Sequence, residues 1–333
     1  MGAYLSEPIT KKVSSDEVGK NVAFGASSMQ GWRISQEDAH NCCIDFDENV
    51  SLFAVYDGHG GHEVATYCAN NLPDFIKQTD AYKKGDIRQA LIDAFLGFDA
   101  TLEKSEVVSI LKELAGTSTS ESKQIGDADS SKGGGDNVSS SSCIPIENGD
   151  AGQQPGYDSG CTAVVAILKD NELYVANAGD SRCVLCRDGQ AIELSLDHKP
   201  EDEPEMERIV KAGGKVTADG RVNGGLNLSR ALGDHAYKQN ADLPPQEQMI
   251  SALPDVRHIT IEPERDEFMV LACDGIWNFM SSQDVVQFIR ARLTQNYEKL
   301  SKICEEVLFD HCLAPDTCGD GTGCDNMTAV IVQ

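Results

Sequence analysis

The chain has 333 residues, of which 40% are apolar, and it carries a formal net charge of -26 with an isoelectric point near 4.5. Because nucleic acid is bound through clustered Lys and Arg, this acidity argues against a nucleic-acid partner. Either it attracts basic proteins or peptides, or it serves only to maintain solubility. No stretch approaches the roughly 18 uninterrupted apolar residues of a membrane span, so no such span is expected.

The start of the chain and its cysteines indicate the cellular location of the protein. Residues 1–21 are interpreted as an N-terminal arm whose opening, Met1-Gly2-Ala3, is typical of N-myristoylation at Gly2, and one acyl chain would give only weak membrane association. The 12 cysteines are scattered and no apolar signal sequence is present, which predicts reduced thiols inside the cell. The predicted location is the cytoplasm, the nucleus or both, although no block of Lys and Arg for nuclear import is found.

Strand and helix patterns alternate through the first part of the chain. Residues 22–28, 42–46 and 52–56 are strand-like, and residues 61–77 and 87–102 have helical periodicity, with a shorter helical piece at 107–114. Two helices are therefore expected after Asp57-Gly58.

The composition changes sharply at residues 116–157, which are rich in Ser, Gly, Asp and Asn. Such a segment cannot bury enough apolar surface to order itself, so it is predicted to be a disordered insertion in a surface loop. Because strand patterns resume at Cys161, the insertion interrupts a single domain, residues 22–333, and does not separate two.

The second half mixes strands with helices and closes on a strand. Strands are predicted at 161–168, 172–178, 182–186, 191–194, 268–273 and 327–332, and helices at 203–212, 283–294 and 297–312. The polar stretch 201–227 is interpreted as a flap that shapes substrate choice. Two pairs of helices around two groups of strands suggest two packed sheets with helices on the outer faces.

Acidic residues adjoin glycine where buried strands meet water. Asp57-Gly58, Gly179-Asp180 and Asp274-Gly275 each follow a hydrophobic run, and Asp325 precedes the last one. If these carboxylates converge, the last strand must run opposite to the other three, which favours an antiparallel core. A single Asp-Gly pair is most often a turn. Four acidic strand ends, with Glu37-Asp38, predict instead a site for hard cations, Mg²⁺ or Mn²⁺.

Two zinc-like patterns are interpreted as structural. Cys183 and Cys186 have zinc-like spacing, but residues three apart in a strand face opposite sides, and no second pair with that spacing is present. His59-Gly60-Gly61-His62-Glu63 lacks the residue order of a zinc-protease helix, and its glycines disfavour a helix.

A succession of motifs then carries a family resemblance. In chain order they are Gly31-Trp32-Arg33, Glu37-Asp38-Ala39-His40, Val55-Tyr56-Asp57-Gly58-His59-Gly60-Gly61, Ser159-Gly160-Cys161-Thr162-Ala163, Ala178-Gly179-Asp180-Ser181-Arg182, Asp197-His198-Lys199-Pro200, Leu228-Ser229-Arg230-Ala231-Leu232-Gly233-Asp234, Ala272-Cys273-Asp274-Gly275-Ile276-Trp277 and Asp325-Asn326-Met327. This order, from residue 22 to the end, resembles the metal-dependent protein serine/threonine phosphatases of type 2C. Residues 1–6 and 312–327 further resemble the gamma member of that family.

The resemblance implies both a fold and a reaction. The fold is α+β, an antiparallel β-sandwich of two sheets flanked by pairs of antiparallel helices in α-β-β-α layers. The reaction is hydrolysis of phosphoserine and phosphothreonine in proteins by direct attack of a hydroxide that bridges two Mg²⁺ or Mn²⁺ ions. The enzyme is expected to act on phosphorylated proteins as a monomer.

The family pattern also implies the metal ligands. Asp57 would bridge both ions, and the carbonyl oxygen of Gly58 would bind one of them. Asp274 and Asp325 would hold the other ion. Glu37-Asp38 would reach metal-bound waters and orient the site.

Two further residues match positions that handle the substrate. Arg33 would clamp the phosphate oxygens through its planar guanidinium, and His59 would protonate the departing Ser or Thr alkoxide. The simpler alternatives are a salt bridge from Arg33 to Glu37 or Asp38, and a turn role for His59.

The chain departs from the family pattern at two places. Many members have an aspartate at the position of Asn278 that helps Asp180 to hold a third ion, and an amide is a poorer ligand for a hard cation, which argues against that ion here. The gamma member has a long acidic insertion, whereas the segment between Thr117 and Tyr157 is short and has few acidic residues.

Other functions remain as alternatives at this point. A regulatory pseudophosphatase could bind phosphoproteins without turnover, although it would not need a complete set of bridging ligands. A metal-dependent nuclease is disfavoured by the net charge. Loss of hydrolysis on removal of the metal separates an enzyme from an inert binding protein.

Overall fold

The fold is described from a computed structural model covering residues 4–121, 154–294 and 299–333. Fourteen strands lie within these residues: β1 (Tyr4–Val18), β2 (Ala23–Arg33), β3 (Ala39–Asp47), β4 (Val50–Tyr56), β5 (Gly58–His59), β6 (Gly160–Cys161), β7 (Ala163–Lys169), β8 (Glu172–Ala178), β9 (Arg182–Arg187), β10 (Gln190–Glu193), β11 (Leu232–Gly233), β12 (Asp255–Thr260), β13 (Asp266–Ala272) and β14 (Met327–Val332).

The helices of the described residues fall into two groups and one separate helix. They are α1 (Glu63–Gln78), α2 (Asp80–Lys83), α3 (Ile87–Asp99), α4 (Ser105–Glu121), α5 (Glu203–Lys211), α6 (Asp274–Trp277), α7 (Ser282–Leu293), α8 (Leu300–Ile303) and α9 (Asp310–Cys312), with a π-helical segment (Cys304–Phe309) joining the last two. None of these helices has the length and apolar character that a membrane span requires.

The strands form two large antiparallel sheets and one small sheet. Their orders are β1-β2-β14-β13-β9-β10, which we call the first sheet, β12-β8-β7-β4-β3, the second sheet, and β11-β6-β5, the small sheet. All the pairings between these strands are antiparallel. The predicted antiparallel core is therefore confirmed.

Alternation along the strands produces the layers. In β4, Leu52, Ala54 and Tyr56 pack in a core with α1 and α3, whereas Phe53 and Val55 pack in the core between the sheets. Successive side chains of a strand point to opposite faces, so one strand serves two cores. Each large apolar side chain buried in this way contributes about 1.5–3 kcal/mol.

The first sheet repeats this arrangement with the other helices. Cys183 packs between the sheets, and Cys186 packs in the core shared with α7 and the helical segments that follow it. The two cysteines face opposite sides, as the spacing predicts, and cannot share a zinc ion. The layers thus run helices, second sheet, first sheet, helices, which confirms the predicted α-β-β-α sandwich.

Local signals explain where two of the helices begin. The side chain of Asp86 accepts from the Gln89 amide at the start of α3, and Ser281 does the same for the Asp284 amide at the start of α7. Such caps satisfy amides that have no partner within the helix.

Several elements differ from the sequence-based expectation. The N-terminal arm contains β1, which pairs along β2 and forms an edge of the first sheet. Helix α4 continues to Glu121, past the expected start of the insertion, and residues 122–153 lie outside the described residues. Strand β12 carries little apolar alternation and was not predicted.

The stretch interpreted as a flap has a small core of its own. Helix α5 ends at Lys211, close to the predicted end, and Ile209, Val222, Leu228 and Ile250 pack together apart from the main cores. The flap is therefore a packed module with its own interior.

Candidate metal centre and active site

The acidic loops meet at one end of the sandwich. Asp57 follows β4 and Asp180 follows the Ala178-Gly179 end of β8, so both leave the second sheet in the same direction. Asp274 follows β13, whereas Asp325 precedes the adjacent antiparallel strand β14. This is the convergence of three strand exits and one entry that the sequence predicts.

Two glycines let the loops approach at backbone distance. A Cβ on Gly58 would lie 2.3 Å from the carbonyl oxygen of Glu37, and a Cβ on Gly275 would lie 2.2 Å from that of Asn326. Neither position can hold a larger side chain without moving the neighbouring backbone. The glycine in each Asp-Gly pair therefore brings the acidic loop of a neighbouring strand beside the aspartate.

Asn326 ties these loops together. Its side-chain oxygen accepts from the Glu37 amide at 2.9 Å, and its side-chain nitrogen donates to the carbonyl oxygens of Gln30, at 2.8 Å, and Ser35, at 2.9 Å. Its own amide donates to the carboxylate of Asp325 at 2.8 Å. A neutral side chain thus fixes the relative positions of two acidic segments.

Crowded carboxylates dominate the electrostatics of the site. Desolvation, together with the charges of Asp38 and Asp274, raises the pKa of Asp57 well above its ordinary value. Desolvation and the charges of Asp180 and Asp325 raise the pKa of Asp274 to about 8. Desolvation also raises the pKa of Asp38 to about 7. Ionised carboxylates in this arrangement repel one another and need a compensating positive charge.

The donor set fits hard divalent cations. One buried carboxylate oxygen of Asp38 has no hydrogen-bond partner in the described residues, and ligand atoms of Asp38, Asp57 and Cys273 lie within 4.8 Å of one another. Carboxylate oxygens suit Mg²⁺ and Mn²⁺. The thiol of Cys273 is engaged otherwise, since it accepts from the Thr328 amide at 3.1 Å, and burial raises its pKa well above the ordinary value.

Arg33 has a partner that the sequence did not suggest. Its Nη2 donates to the Asp325 carboxylate at 2.6 Å, and not to Glu37 or Asp38, while its buried Nε makes no hydrogen bond within the described residues. Burial alone would lower the pKa of Arg33, but the Asp325 charge raises it. A charged guanidinium with a free donor therefore lies beside the carboxylate cluster.

His59 lies directly after Gly58 and contacts a second acidic residue. Its Nε2 is 2.6 Å from the Asp234 carboxylate. Burial acts to lower the pKa of His59, but Asp234 outweighs it and the net pKa is raised. A turn role alone does not account for this contact. Asp234 belongs to a motif quoted above, but its sequence position gave no indication of its partner.

Asp180 is neutralised by the chain itself. Lys199 Nζ lies 2.5 Å from the Asp180 carboxylate, and Asn278 donates to the Asp274 carboxylate at 2.9 Å. Desolvation lowers and Asp180 raises the pKa of Lys199, with a net increase. Lys199 was missed as a site residue because only the fold brings it to Asp180. Gly2, the predicted lipid site, lies outside the described residues.

Comparisons with known proteins identify the relatives of this chain. The family model described as Protein phosphatase 2C matches residues 22–120 and 146–321. Protein phosphatase 1G of Homo sapiens is 39% identical over 505 residues, covering 100% of this chain and 92% of that protein. Probable protein phosphatase 2C 21 of Arabidopsis thaliana is 48% identical over 333 residues, with the same coverage of 100% and 92%.

A solved structure shares the fold. Serine-threonine phosphatase 2C from Toxoplasma gondii superposes with a TM-score of 0.68 at 19% identity, covering 97% of this chain and 98% of that one. The 505-residue alignment with the human protein, against 333 residues with the plant protein, agrees with the short insertion noted in the sequence.

Proposed function

The chain belongs to the protein phosphatase 2C family, and from that premise we propose how its own residues carry out the reaction. It is a metal-dependent protein serine/threonine phosphatase.

Two Mg²⁺ or Mn²⁺ ions would be held by Asp57, the Gly58 carbonyl oxygen, Asp274 and Asp325, with Glu37 and Asp38 reaching metal-bound waters. The single observation that carries this proposal is the excess of carboxylates at one end of the sandwich, which raises the pKa of Asp57 and Asp274. When bound, such ions acidify water and neutralise charge on the phosphoryl group, so that water becomes the attacking nucleophile.

A third ion at Asp180 is not part of the proposal. The ammonium group of Lys199 already neutralises this carboxylate at 2.5 Å, and Asn278 brings no charge to the site. Both observations favour a centre of two ions.

Arg33 would bind and orient the phosphate. Its Nη2 is held by Asp325, so the guanidinium plane is fixed, while Nε remains a free donor. A planar, permanently charged group in a fixed orientation suits two-point contact with phosphate oxygens. His59 would give a proton to the departing Ser or Thr oxygen.

The test compares Asp57→Asn with Asp170→Asn. Asp170 is an exposed turn residue at φ 54, away from the site, so it controls for the substitution itself. We expect Asp57→Asn to lower Mn²⁺-dependent hydrolysis of p-nitrophenyl phosphate by more than about 10³-fold, because charge stabilisation by a bound cation is worth several kcal/mol. Chelator should abolish wild-type turnover. A wild-type protein that binds Mn²⁺ but does not hydrolyse phosphoproteins would favour a regulatory binding protein instead.

We also propose a setting for the enzyme. The net charge of -26 favours basic phosphoproteins as substrates, and Gly2 would carry a myristoyl group that gives weak membrane association to a monomer of the cytoplasm, the nucleus or both. Intact-mass measurement of the wild-type protein and of Gly2→Ala, expressed in eukaryotic cells, tests the lipid directly.

A further inference from the structure

The contact between His59 and Asp234 is built by the small sheet. In that sheet His59 pairs with Gly160 and Gly160 pairs with Gly233, so the three residues lie in line across three strands. Asp234 comes directly after Gly233. The register therefore places the imidazole and the carboxylate on either side of the Gly160 backbone.

Gly160 makes room for the carboxylate. A Cβ at this position would lie 2.3 Å from an Asp234 carboxylate oxygen. A side chain on Gly160 would therefore displace Asp234 from His59, and it would also meet the carbonyl oxygen of Leu232 at 2.7 Å. The absence of a side chain in the middle strand allows the two outer residues to meet.

The backbone of Asp234 is held in an uncommon conformation. Its φ of 53 and ψ of 38 lie in the left-handed region, and its amide donates to the Ser159 carbonyl oxygen at 2.9 Å. A non-glycine residue in this region costs of order 1 kcal/mol or more and persists where the surroundings fix it. The Asp234 side chain is only 2% exposed, so its carboxylate is aimed at His59 and not at solvent.

From these contacts we infer that Asp234 is a positioning residue for His59. The Asp234 carboxylate accepts from Nε2–H, which fixes the ring and leaves Nδ1 as the nitrogen that donates to the substrate. This inference rests on the proposed role of His59 in phosphate-ester hydrolysis, and it assigns the residue that orients the proton donor.

Hydrolysis forms one bond to phosphorus and breaks another. Water releases one proton to solvent and its oxygen bonds to phosphorus, and the bond from phosphorus to the Ser or Thr oxygen breaks with its electron pair going to that oxygen. The oxygen takes the proton from Nδ1 of His59, which gives the free alcohol and inorganic phosphate. His59 then regains a proton from solvent.

The experiment measures how the loss of kcat in a variant depends on the leaving group of the substrate. An aryl phosphate such as p-nitrophenyl phosphate releases a stable phenolate and needs little proton donation, whereas a phosphothreonine peptide releases an alkoxide. Asp234→Asn keeps the size of the side chain and tolerates the left-handed backbone. We expect kcat on the peptide to fall about 10²-fold and kcat on the aryl phosphate to fall less than about threefold.

A second variant reaches the same contact by another route. Gly160→Ala retains both His59 and Asp234 but separates them. The same split between the two substrates is therefore expected, that is, a large loss of kcat on the peptide and a small loss on the aryl phosphate. Gly319→Ala, where nothing lies within 4 Å of the added Cβ, is its matched control, and Asp170→Asn is the control for Asp234→Asn. Calorimetric titration with Mn²⁺ should give unchanged binding for all four variants.

A double variant tests whether Asp234 affects kcat through His59. In the His59→Ala background, Asp234→Asn should cause no further loss on the peptide, because residues that act as a unit are not additive. An equal loss on both substrates, or weaker Mn²⁺ binding in Asp234→Asn, would show a merely structural role and overturn the inference. If His59→Ala gives the split and Asp234→Asn does not, the inference fails while the proposed function stands. If His59→Ala gives no split, the proposed role of His59 fails as well.

Discussion

Two carboxylates in this molecule, Asp57 and Glu205, have pKa values that are shifted in opposite directions by their neighbours. Asp57 is half-buried at the end of the sandwich, and its pKa is raised well above its ordinary value. Glu205 in the flap is more deeply buried, at 4% exposure. Burial acts to raise the pKa of Glu205, yet the hydrogen bonds and charges of Arg230 and Arg208 outweigh it and lower that pKa to about 2.

The neighbours, and not the depth of burial, decide the difference. Arg208 donates to Glu205 at 2.7 Å, Arg230 donates at 2.7 Å and the Ser229 hydroxyl donates at 2.5 Å. At the end of the sandwich Arg33 pairs with Asp325 and Lys199 pairs with Asp180. Within the described residues, Asp38, Asp57 and Asp274 have no such ion pair. The charge of Glu205 is balanced by arginines of the folded chain, whereas the carboxylates at the end of the sandwich need cations from solution. An uncompensated charge of this kind is expected of a binding site.

The largest expected effect on stability comes from removing the charge of Glu205. Glu205→Gln leaves Arg208 and Arg230 buried without their counter-charge, so the free energy of unfolding should fall by about 3–5 kcal/mol. Urea unfolding in excess Mn²⁺ measures it, with the exposed Glu264→Gln as control. A loss no larger than that of the control would mean that the cluster does not stabilise the flap.

The stability of the chelated protein should depend on pH in opposite directions through Asp274 and through Glu205. Asp274 holds its proton up to about pH 8 when folded but only to about 3.8 as a free side chain, so the stability of the chelated protein should fall as pH rises through this window. Glu205 contributes stability above its ordinary pKa of 4.5, and that contribution is lost as pH falls towards about 2.

Thermal unfolding in chelator between pH 5 and pH 8 measures the first effect, for which we expect a fall in Tm of roughly 5 °C. Saturating Mg²⁺ should remove most of that fall, because a bound cation offsets the repulsion between carboxylates. The same slope with and without Mg²⁺ would contradict the assignment of Asp274 as a ligand.

A single neutral substitution should sharpen the contrast. Asp57→Asn removes one of the repelling charges, so the chelated variant should be more stable than the chelated wild type by about 1–2 kcal/mol, although it has lost activity. Denaturant unfolding with chelator, and again with Mn²⁺, is the measurement. If the variant is less stable in chelator, the carboxylate has a structural partner that outweighs the repulsion.

The smallest effect is expected at the edge of the site. Asn278→Asp replaces a donor to Asp274 with another carboxylate, which should lower the stability of the chelated protein by about 1 kcal/mol or less. Calorimetry should then detect an additional weak Mn²⁺ site. An unchanged number of sites would show that Lys199 still neutralises Asp180 in the variant.

Much of the fold could be predicted because its elements are long and periodic. Strand β4 and helix α3 show their periods directly in the sequence, and they were placed within a few residues of their ends. Strand β1 was missed because it is an edge strand with mostly exposed residues, and its pairing with β2 supplies order that its own sequence does not encode.

By itself, the sequence determined that carboxylates stand at the ends of buried strands, and that an antiparallel sandwich can bring them together. Alternation and turn chemistry are local properties, so they can be read from neighbouring residues. Only the tertiary structure decided that Asp325 pairs with Arg33, that Lys199 neutralises Asp180 and that Asp234 reaches His59 across Gly160. These contacts join residues far apart in the chain, and strand register sets their distances, which no local pattern records.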